Sequence, residues 1–353
     1  MLCVTLTALR STDGYLGELP LTIPRIVVVG SYAVGLTMKV ERLPGTGETV
    51  LGTGYRADHG GKGSNQAIGC ARLGAKVSFI AKIGTDTFGE MALKLYFEER
   101  IDATQVRRTV DIPTGVGFIL VESSTGKNCI VLDPGANELL SDNDVNRCEA
   151  VISSAAIVMT QLEIPVAAAE TALALGQSGN ALTILNPAPV RLLPASILGV
   201  ASILTPNETE AKVLTGRSPD AACEIKDVAR ELIRLGAKQL VITLGDQGAL
   251  IATASSFRHI RAQRMSVVDT TGAGDAFNAG LATALAFGAG LEEAVQFAVV
   301  TGGLAVTKDG VVPSLPHHEE VCEFFHQRKL VKPDWFLTNL ANQSDSIQRG
   351  GPT

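Results

Sequence analysis

One acidic residue placed directly after three small residues is the clearest candidate for catalysis in this sequence. In the stretch VVDTTGAGDAFNAG, Gly272, Ala273 and Gly274 precede Asp275. The pattern predicts a strand, MSVVDT, followed by a helix that begins at these small residues. The first N–H groups of a helix have no partner within it and the helix dipole is positive there, so an anion would meet several donors. Glycines would let a phosphate approach closely.

Asp275 would add an acid–base group to this anion site. A carboxylate in the first helical turn, next to a bound phosphate, can accept the proton of a hydroxyl nucleophile. The combination is typical of phosphoryl transfer to an alcohol. The alternative is an ordinary strand-to-helix turn capped by Asp275, because short glycine motifs also occur without a function. A dinucleotide fingerprint fits less well, since Phe277 stands where a third small residue is needed.

A second glycine-rich stretch, HGGKGSNQAIGCARLG, suggests a site for a small polar substrate. Gly60, Gly61 and Gly63 would permit close backbone approach, and Lys62 and Asn65 could hydrogen-bond a polyol. It lacks the Ser or Thr that follows Gly-Lys in a Walker P-loop. The alternative is a turn that leads into a helix.

Two further stretches carry weaker signals. In LTPNETEAKVLTG, Asn207 and Glu210 lie three apart at a predicted helix start, where Glu210 could hold a hydrated magnesium ion. The same spacing is typical of a capping box. The stretch TLGDQGA could border a nucleotide or form a plain hairpin turn.

The elements that position these residues alternate regularly. Short apolar runs alternate with helix-length segments and predict strands at RIVVVG, KVSFIAKIG, AAIVMTQ, ALTILNPAP, SILTPN and QLVITLG. Near-continuous apolar strands indicate burial on both faces, so we expect an α/β fold with three layers, α/β/α, around a mostly parallel sheet. Ligands would bind at the carboxyl ends of its strands.

Two stretches interrupt this alternation and predict a lid. Residues from about 36–58 and 111–135 have the pattern of hairpin strands with polar turns, and we expect them to form a small antiparallel sheet over one edge of the main sheet. We predict an N-terminal extension over residues 1–24, one catalytic domain over residues 25–330 and a loosely held polar tail over residues 331–353.

Composition excludes several classes of function. A formal net charge of -6 disfavours nucleic acid as a partner. Glycines interrupt every apolar run before the roughly 20 residues that a membrane span needs, so no membrane association is expected. The six cysteines have no CxxC spacing, which favours reduced thiols in a cytoplasmic protein.

In their order along the chain, six motifs closely resemble those of the ribokinase or PfkB-type carbohydrate kinases. The motifs are GGKGSN, NPAP, TPNETE, TLGDQG, DTTGAGDAF and AVTKDGVVPSLP, and the resemblance runs from about Arg25 to Gln327. It implies a ribokinase-like fold, ATP and Mg²⁺, use of the monovalent cation K⁺, and a homodimer formed through the β lid. The implied reaction is transfer of the γ-phosphoryl group to a primary hydroxyl of a sugar or polyol.

The resemblance also implies roles for single residues. Asp275 would be the base, and the amides of Gly272, Ala273 and Gly274 the anion hole. Substrate-side positions, besides Asp275, would be Gly60, Gly61, Lys62, Gly63, Asn65 and Glu163. Nucleotide-side positions would be Asn207, Thr243, Gly245, Asp246, Gly248 and Gly274. Glu210 would hold magnesium, and potassium would map onto Asp269, Thr271, Ala305, Lys308, Gly310 and Ser314.

The sequence departs from the ribokinase pattern after the first strand. Ribokinases have a Gly-Ser-x-Asn-x-Asp type of sequence there, whose Asn and Asp hold sugar hydroxyls, but here Ala33 and Gly35 stand at those positions. Losing both anchors should change what is bound. We expect a sugar or nucleoside without the ribose hydroxyl arrangement, or one with extra bulk, with Tyr32 free to stack on it. The alternatives are a nucleoside kinase of the same family or a catalytically weak sugar-binding regulatory protein.

Overall fold

Apolar strands buried on both faces build the main sheet, as the sequence predicts. The computed structural model describes residues 23–333 and 335–336. Its strands are β1 (Arg25–Val29), β2 (Ala33–Val40), β3 (Gly52–Gly60), β4 (Lys76–Gly84), β5 (Asp102–Thr109), β6 (Gly115–Glu122), β7 (Asn128–Asp133), β8 (Ile157–Thr160), β9 (Leu182–Leu185), β10 (Ile203–Leu204), β11 (Leu240–Thr243), β12 (Ala249–Ala252) and β13 (Phe257–Ile260). All six predicted strands of the alternating pattern are present.

The helices cover both faces of this sheet. They are α1 (Lys62–Arg72), α2 (Thr87–Glu98), α3 (Asp142–Asn146), α4 (Glu149–Ser153), α5 (Val166–Ser178), α6 (Ala195–Val200), α7 (Glu208–Leu214), α8 (Ile225–Arg234), α9 (Ala273–Ala286), α10 (Leu291–Ala305), α11 (Val311–Ser314) and α12 (His318–Gln327). Among the described residues, none of the helices has the length and apolar character needed to cross a membrane.

The nine-stranded main sheet is parallel except at one edge. Its order is β13-β12-β11-β10-β9-β8-β1-β4-β5, and its antiparallel pairs are β11 with β12 and β12 with β13. Strand β1 separates two hydrophobic cores. Ile26 and Val28 belong to the core under α1, α9 and α10, whereas Val27 and Val29 belong to the core under α5 and α8. All four are fully buried, which is the three-layer arrangement expected.

The lid is a separate four-stranded sheet in the order β3-β2-β6-β7. Its outer pairs, β2 with β3 and β6 with β7, are antiparallel, but the central pair β2 with β6 is parallel. The expectation of a purely antiparallel lid is therefore wrong. The reason lies in the main sheet: β2 follows β1 and β6 follows β5, and since β1 and β5 are parallel, the chain leaves both strands in the same direction.

The predicted strand MSVVDT is absent from the structure. This segment runs as extended chain from the sheet edge at β13 to the start of α9, and Val268 N–H donates to the carbonyl of Val306 at 2.8 Å. Val267 and Val268 are about two-thirds exposed (65% and 64%). Because α9 packs on α1 and beside β1, the segment must cross the carboxyl ends of the sheet and cannot pair with it.

The first part of the predicted polar tail is packed against the protein. The ring of Phe336 is fully buried, with its centroid 4.9 Å from that of Phe297 and 4.2 Å from that of His318. The prediction of a loosely held tail is wrong at this point, because two aromatic residues interrupt its polar composition. Residues 334 and 337–353, and residues 1–22 of the predicted extension, lie outside the described residues. The domain boundaries stay a prediction.

Candidate active site

Unpaired backbone amides mark the start of α9. Gly272 caps this helix with a left-handed backbone (φ 82°), and a Cβ there would lie 2.8 Å from Val311 Cγ1, so the position requires glycine. Within the described residues, the N–H groups of Gly272, Gly274 and Asp275 donate to no protein acceptor. The N–H of Ala273 already donates to the carbonyl of Thr270 at 3.3 Å. Of the predicted anion hole, the two glycine amides remain free, and the amide of Asp275 joins them.

The carboxylate of Asp275 is held between α1 and α9 with both oxygens engaged. Oδ2 accepts a hydrogen bond from Asn65 Nδ2 at 2.8 Å, and Oδ1 accepts one from Gln66 Nε2 at 2.9 Å. These two amides come from consecutive residues of α1, so the plane of the carboxylate is fixed relative to the unpaired N–H groups. The side chain is 6% exposed and lines a cavity, so it is not directed into the apolar core.

Gln66 links Asp275 to further buried amides that the sequence analysis did not single out. Gln161 Nε2 donates to Gln66 Oε1 at 2.6 Å, and Gln66 Nε2 also donates to Asn186 Oδ1 at 3.1 Å. All three side chains are nearly or fully buried. Because a carboxylate only accepts, Asp275 fixes the direction of this chain of hydrogen bonds. The signal was available, since Gln66 follows GGKGSN directly and Asn186 opens the motif NPAP.

A second buried pair supports the glycine loop from behind. Thr205 Oγ1 donates to Asn278 Oδ1 at 2.6 Å, and Asn278 Nδ2 donates to the carbonyl of Gly274 at 2.8 Å. Asn278 is a buried polar residue one turn after Asp275 in a mostly apolar helix, which is the sequence signal that could have identified it. These contacts hold the first turn of α9 in place.

Replacing Gln66 with methionine should destabilise the protein and slow catalysis. The variant Gln66→Met leaves Gln161 Nε2 and Asn186 Oδ1 without their partner, so we expect the free energy of unfolding to fall by about 1–3 kcal/mol in denaturant titration. We expect kcat to fall with little change in KM for ATP, because Asp275 loses one of its two orienting donors. The exposed Gln177→Met serves as the control. Unchanged stability would contradict the assigned network.

Seven of the predicted residues meet in one cavity of about 220 Å³, here called the inner cavity. The first turns of α1, α7 and α9, together with the end of β11, bring them to the carboxyl end of the sheet. They are Lys62, Asn207, Glu210, Thr243, Gly272, Gly274 and Asp275. The pKa of Lys62 is raised, chiefly by the carboxylate of Asp275 against the opposing effect of burial, so its ammonium group stays charged. The cavity therefore combines the carboxylate of Asp275, unpaired backbone amides and the ammonium group of Lys62.

Glu210 forms the capping box that the spacing allows and still presents a free oxygen. Its Oε2 accepts from Asn207 N–H and Asn207 Oδ1 accepts from Glu210 N–H, both at 2.8 Å. Its Oε1 accepts no hydrogen bond from the described residues. Burial raises the pKa of Glu210, with the Asn207 hydrogen bond and the Lys62 charge opposing this effect. A single partly free carboxylate beside a phosphate site suits Mg²⁺, which keeps most of its waters.

A larger cavity of about 660 Å³ lies under the lid and is here called the lid cavity. Its predicted lining residues are Gly60, Gly61, Glu163, Asp269, Thr271 and Gly310. Glu163 Oε2 accepts from the hydroxyl of Ser31 at 2.6 Å and from Lys62 N–H at 2.8 Å, so this carboxylate joins the turn between β1 and β2 to the GGKG turn.

The glycines of GGKG serve packing as well as access. A Cβ at Gly61 would lie 2.7 Å from Tyr32 Cα, and one at Gly63 would lie 2.5 Å from Ser31 N. Both positions are therefore needed for the close approach of another backbone segment, and Gly63 is buried.

Tyr32 is not free to stack on a substrate, so that expectation is wrong. Its side chain is fully buried, and its hydroxyl lies 2.8 Å from His59 Nδ1. Burial raises the pKa of the Tyr32 hydroxyl and lowers that of His59, so the hydroxyl donates and Nδ1 accepts. The ring packs edge-on against Tyr96, with centroids 6.1 Å apart.

Three of the six residues predicted to hold potassium lie together. Asp269 Oδ1 accepts from Thr271 N–H at 2.9 Å and from its hydroxyl at 2.7 Å, and Oδ2 accepts from Gly310 N–H at 3.3 Å. Burial raises the pKa of Asp269, but these hydrogen bonds outweigh it and the pKa is lowered. Lys308 instead pairs with Glu320.

The remaining predicted residues lie outside both cavities. Ser314 donates to the Val311 carbonyl at 2.7 Å, and the Ala305 carbonyl accepts from Lys308 N–H at 3.5 Å. The stretch TLGDQGA is the hairpin turn between β11 and β12, and Gly248 is required there because a Cβ would lie 2.0 Å from the Ile260 carbonyl. Residues that line neither cavity are Gly63, Asn65, Gly245, Asp246, Gly248, Ala273, Ala305, Lys308 and Ser314.

Comparison with known proteins gives consistent matches over most of the chain. A family model described as "pfkB family carbohydrate kinase" matches residues 24–318. Ribokinase of Haemophilus influenzae is 37% identical over 300 residues, which cover 85% of this chain and 97% of that protein. Deoxyribokinase of Salmonella typhi is 33% identical over 300 residues, covering 85% and 98%. The structure of Arabidopsis thaliana ribokinase complexed with ribose and ATP has a TM-score of 0.79 at 31% identity, covering 86% and 98%.

Proposed function

Because the chain belongs to the pfkB family of carbohydrate kinases and is an ATP-dependent carbohydrate kinase of ribokinase-like fold, we propose that its inner cavity transfers the γ-phosphoryl group of ATP to a primary hydroxyl of a sugar or polyol. One observation carries this proposal: the carboxylate of Asp275 and the unpaired N–H groups of Gly272 and Gly274 line the same cavity. A base and an anion site at one point are what in-line transfer to an alcohol requires.

Each group has a distinct part in the proposed reaction. Asp275, oriented by Asn65 and Gln66, accepts the proton of the attacking hydroxyl. The free amides at the start of α9 stabilise the negative charge on the transferred phosphoryl group. Lys62 adds a positive charge at the same cavity. Magnesium, when bound, neutralises phosphate charge, and Glu210 would hold it through water.

The substrate is proposed to be a sugar or nucleoside other than D-ribose. Ala33 and Gly35 line the lid cavity and offer no polar side chain for hydroxyls. A phosphorylation panel of D-ribose, 2-deoxy-D-ribose, hexoses and nucleosides, followed by ADP release, tests the proposal. We expect turnover with at least one of them and a best substrate other than D-ribose. If D-ribose is clearly best, the altered specificity is wrong, and if nothing turns over, the regulatory alternative gains support.

The variant Glu210→Gln should raise the magnesium requirement without disrupting the fold. Glutamine keeps the carbonyl oxygen that caps α7 but removes the charge that attracts the cation. We expect the Mg²⁺ concentration for half-maximal activity to rise about tenfold to a hundredfold. Glu208→Gln, on the first turn of the same helix and outside the inner cavity, is the matched control. Equal Mg²⁺ titrations for the two variants would argue against this role.

A potassium site beside the anion site remains part of the proposal. Asp269, Thr271 and Gly310 are already joined by hydrogen bonds next to the start of α9, and backbone carbonyls would complete the coordination. Bound potassium would stabilise the loop that presents the amides. Comparing kcat in matched potassium and sodium buffers tests this, and equal rates would overturn it.

We also propose that two copies associate through the lid. On the face of the lid opposite the cavity, Phe118 and Val131 are directly paired across β6 and β7 and are 54% and 64% exposed. Exposed apolar patches of this kind favour a protein interface. Mass measurement in solution should give about twice the 36.9 kDa of one chain. The variant Phe118→Lys should have the mass of a single chain.

A cytoplasmic location is the last part of the proposal. Five described cysteines, at positions 70, 129, 148, 223 and 322, carry free thiols. Free thiols persist where the redox environment is reducing. Fractionation of the source cells tests the location.

A further inference from the structure

The lid face toward the lid cavity has few polar side chains close to the GGKG turn. Strand β2 presents Ala33 and Gly35, and β6 presents Gly117 in register with Gly35 and Ile119 beyond it. Thr37, Lys39 and Arg56 lie further along the strands, and Asp58 on β3 is the carboxylate of the lid strands that pairs directly with Gly35 and lines the same cavity. A carboxylate thus lies directly opposite Gly35, one of the two small residues, Ala33 and Gly35, that replace the polar anchors.

The position of Asp58 brings its carboxylate toward the predicted substrate. Side chains alternate along a strand, so Asp58 and Arg56 share the face of β3 that lines the cavity. Lys62 follows Asp58 by four positions in the chain, so their Cα atoms lie within about 14 Å of each other. Asp58 lines the lid cavity together with Gly60, Gly61 and Glu163, so a sugar held by these predicted substrate-side residues has Asp58 on the wall of the same cavity.

The contacts of Asp58 leave one of its oxygens available. Asp58 Oδ2 lies 3.3 Å from Arg56 Nε, and Oδ1 accepts no hydrogen bond from the described residues. Arg56 also donates to Asp309 Oδ2 at 2.9 Å, so it is already held by the loop beside α11. An isolated, half-exposed ion pair adds little to stability, and Arg56 has a better partner. The ion pair alone does not account for an inward-facing Asp58.

We infer that Asp58 is a specificity-determining residue that accepts a hydrogen bond from a hydroxyl of the sugar. This inference rests on the proposed kinase function and names the class of substrate more closely. The substrate is a polyol with one hydroxyl directed at β3, and with a face of few hydroxyls against Ala33, Gly35 and Ile119. A carboxylate accepts and does not donate, so it selects a hydroxyl or ammonium donor at this point.

The first test measures the kinetics of Asp58→Ala. The full chain is assayed with D-ribose, 2-deoxy-D-ribose, D-fructose and adenosine, and the variant is then compared on the fastest of these. We expect KM for that substrate to rise about tenfold to a hundredfold, because a hydrogen bond to a charged group contributes that much to binding. KM for ATP should stay within twofold. Asp58→Asn, which keeps one acceptor, should recover part of the loss. The lid carboxylate variant Glu122→Gln, outside the cavity, is the control.

A second test separates recognition from a structural role. Monodeoxy analogues of the best substrate are compared on the unaltered protein and on Asp58→Ala. One analogue should lose efficiency on the unaltered protein but not on the variant, because the hydroxyl that Asp58 binds is already missing. Equal losses on both proteins for every analogue would overturn the inference and leave the kinase function intact. No turnover by the unaltered protein on any substrate would overturn the proposed function and this inference with it.

Discussion

The variant Asp275→Asn should lose about a thousandfold in kcat while KM for ATP changes little. A general base in proton transfer contributes about 10² to 10⁴ in rate, and asparagine cannot accept the proton. The fold should tolerate the change. Gln66 is fixed by Gln161 and Asn186 and would meet the new carbonyl, while Asn65 can rotate and present its Oδ1, which is buried and has no hydrogen-bond partner among the described residues. The measurement is steady-state turnover of ATP with the best acceptor.

The matched control for this variant is Asp227→Asn, an exposed acid in the first turn of α8 that pairs with Arg230. It should keep full activity. Thermal unfolding of both variants should match the unaltered protein within a few degrees. If Asp275→Asn keeps more than a tenth of kcat, Asp275 is not the base, and the amides alone would account for the phosphate chemistry.

The variant Gly274→Ala should separate activity from stability. A Cβ at this position meets no atom within 4 Å, so the protein accommodates it, and alanine is the better helix former by up to about 1 kcal/mol. The methyl group would stand at the wall of the inner cavity, where the phosphoryl group must approach the amides. We expect kcat/KM for ATP to fall about a hundredfold, because a small displacement of the reacting groups lowers the rate by about that factor. The melting temperature should stay equal or rise.

Gly199→Ala is the control for that substitution. It is also a helical glycine whose Cβ would meet no neighbour, but it lies in α6, away from both cavities. It should show the same small gain in stability with full activity. Full activity of Gly274→Ala would mean that phosphate does not approach the start of α9, and the anion site would have to be abandoned.

Local patterns predicted the parts of this protein that depend on local sequence. Strands such as β8 (Ile157–Thr160) are buried at every residue, and burial on both faces leaves a continuous apolar run that can be recognised without neighbours. The start of α9 was equally visible, because only glycine is favourable at the left-handed φ of Gly272. The capping box of Asn207 with Glu210 was also foreseen as one of two alternatives.

Contacts between segments that are far apart in the chain could not be predicted from the sequence. The parallel pairing of β2 with β6 follows from the order of strands in the main sheet, and no pattern within either strand records it. The hydrogen bond from Gln66 to Asp275 joins residues 209 positions apart. The sequence predicts that Tyr32 is free to stack on a substrate, but its hydroxyl lies 2.8 Å from Nδ1 of His59 on β3.

The separation of Asn65 and Asp275 by 210 residues bears on how the enzyme is made. During synthesis, the sugar-side turn and most of the sheet emerge well before the helix that carries the base. A nascent chain that stops short of Gly272 has neither the base nor the amides that receive phosphate, and it also lacks α9 and α10, which cover one face of the main sheet. Catalytic competence therefore arrives late in translation, and truncated products would be inert instead of partly active.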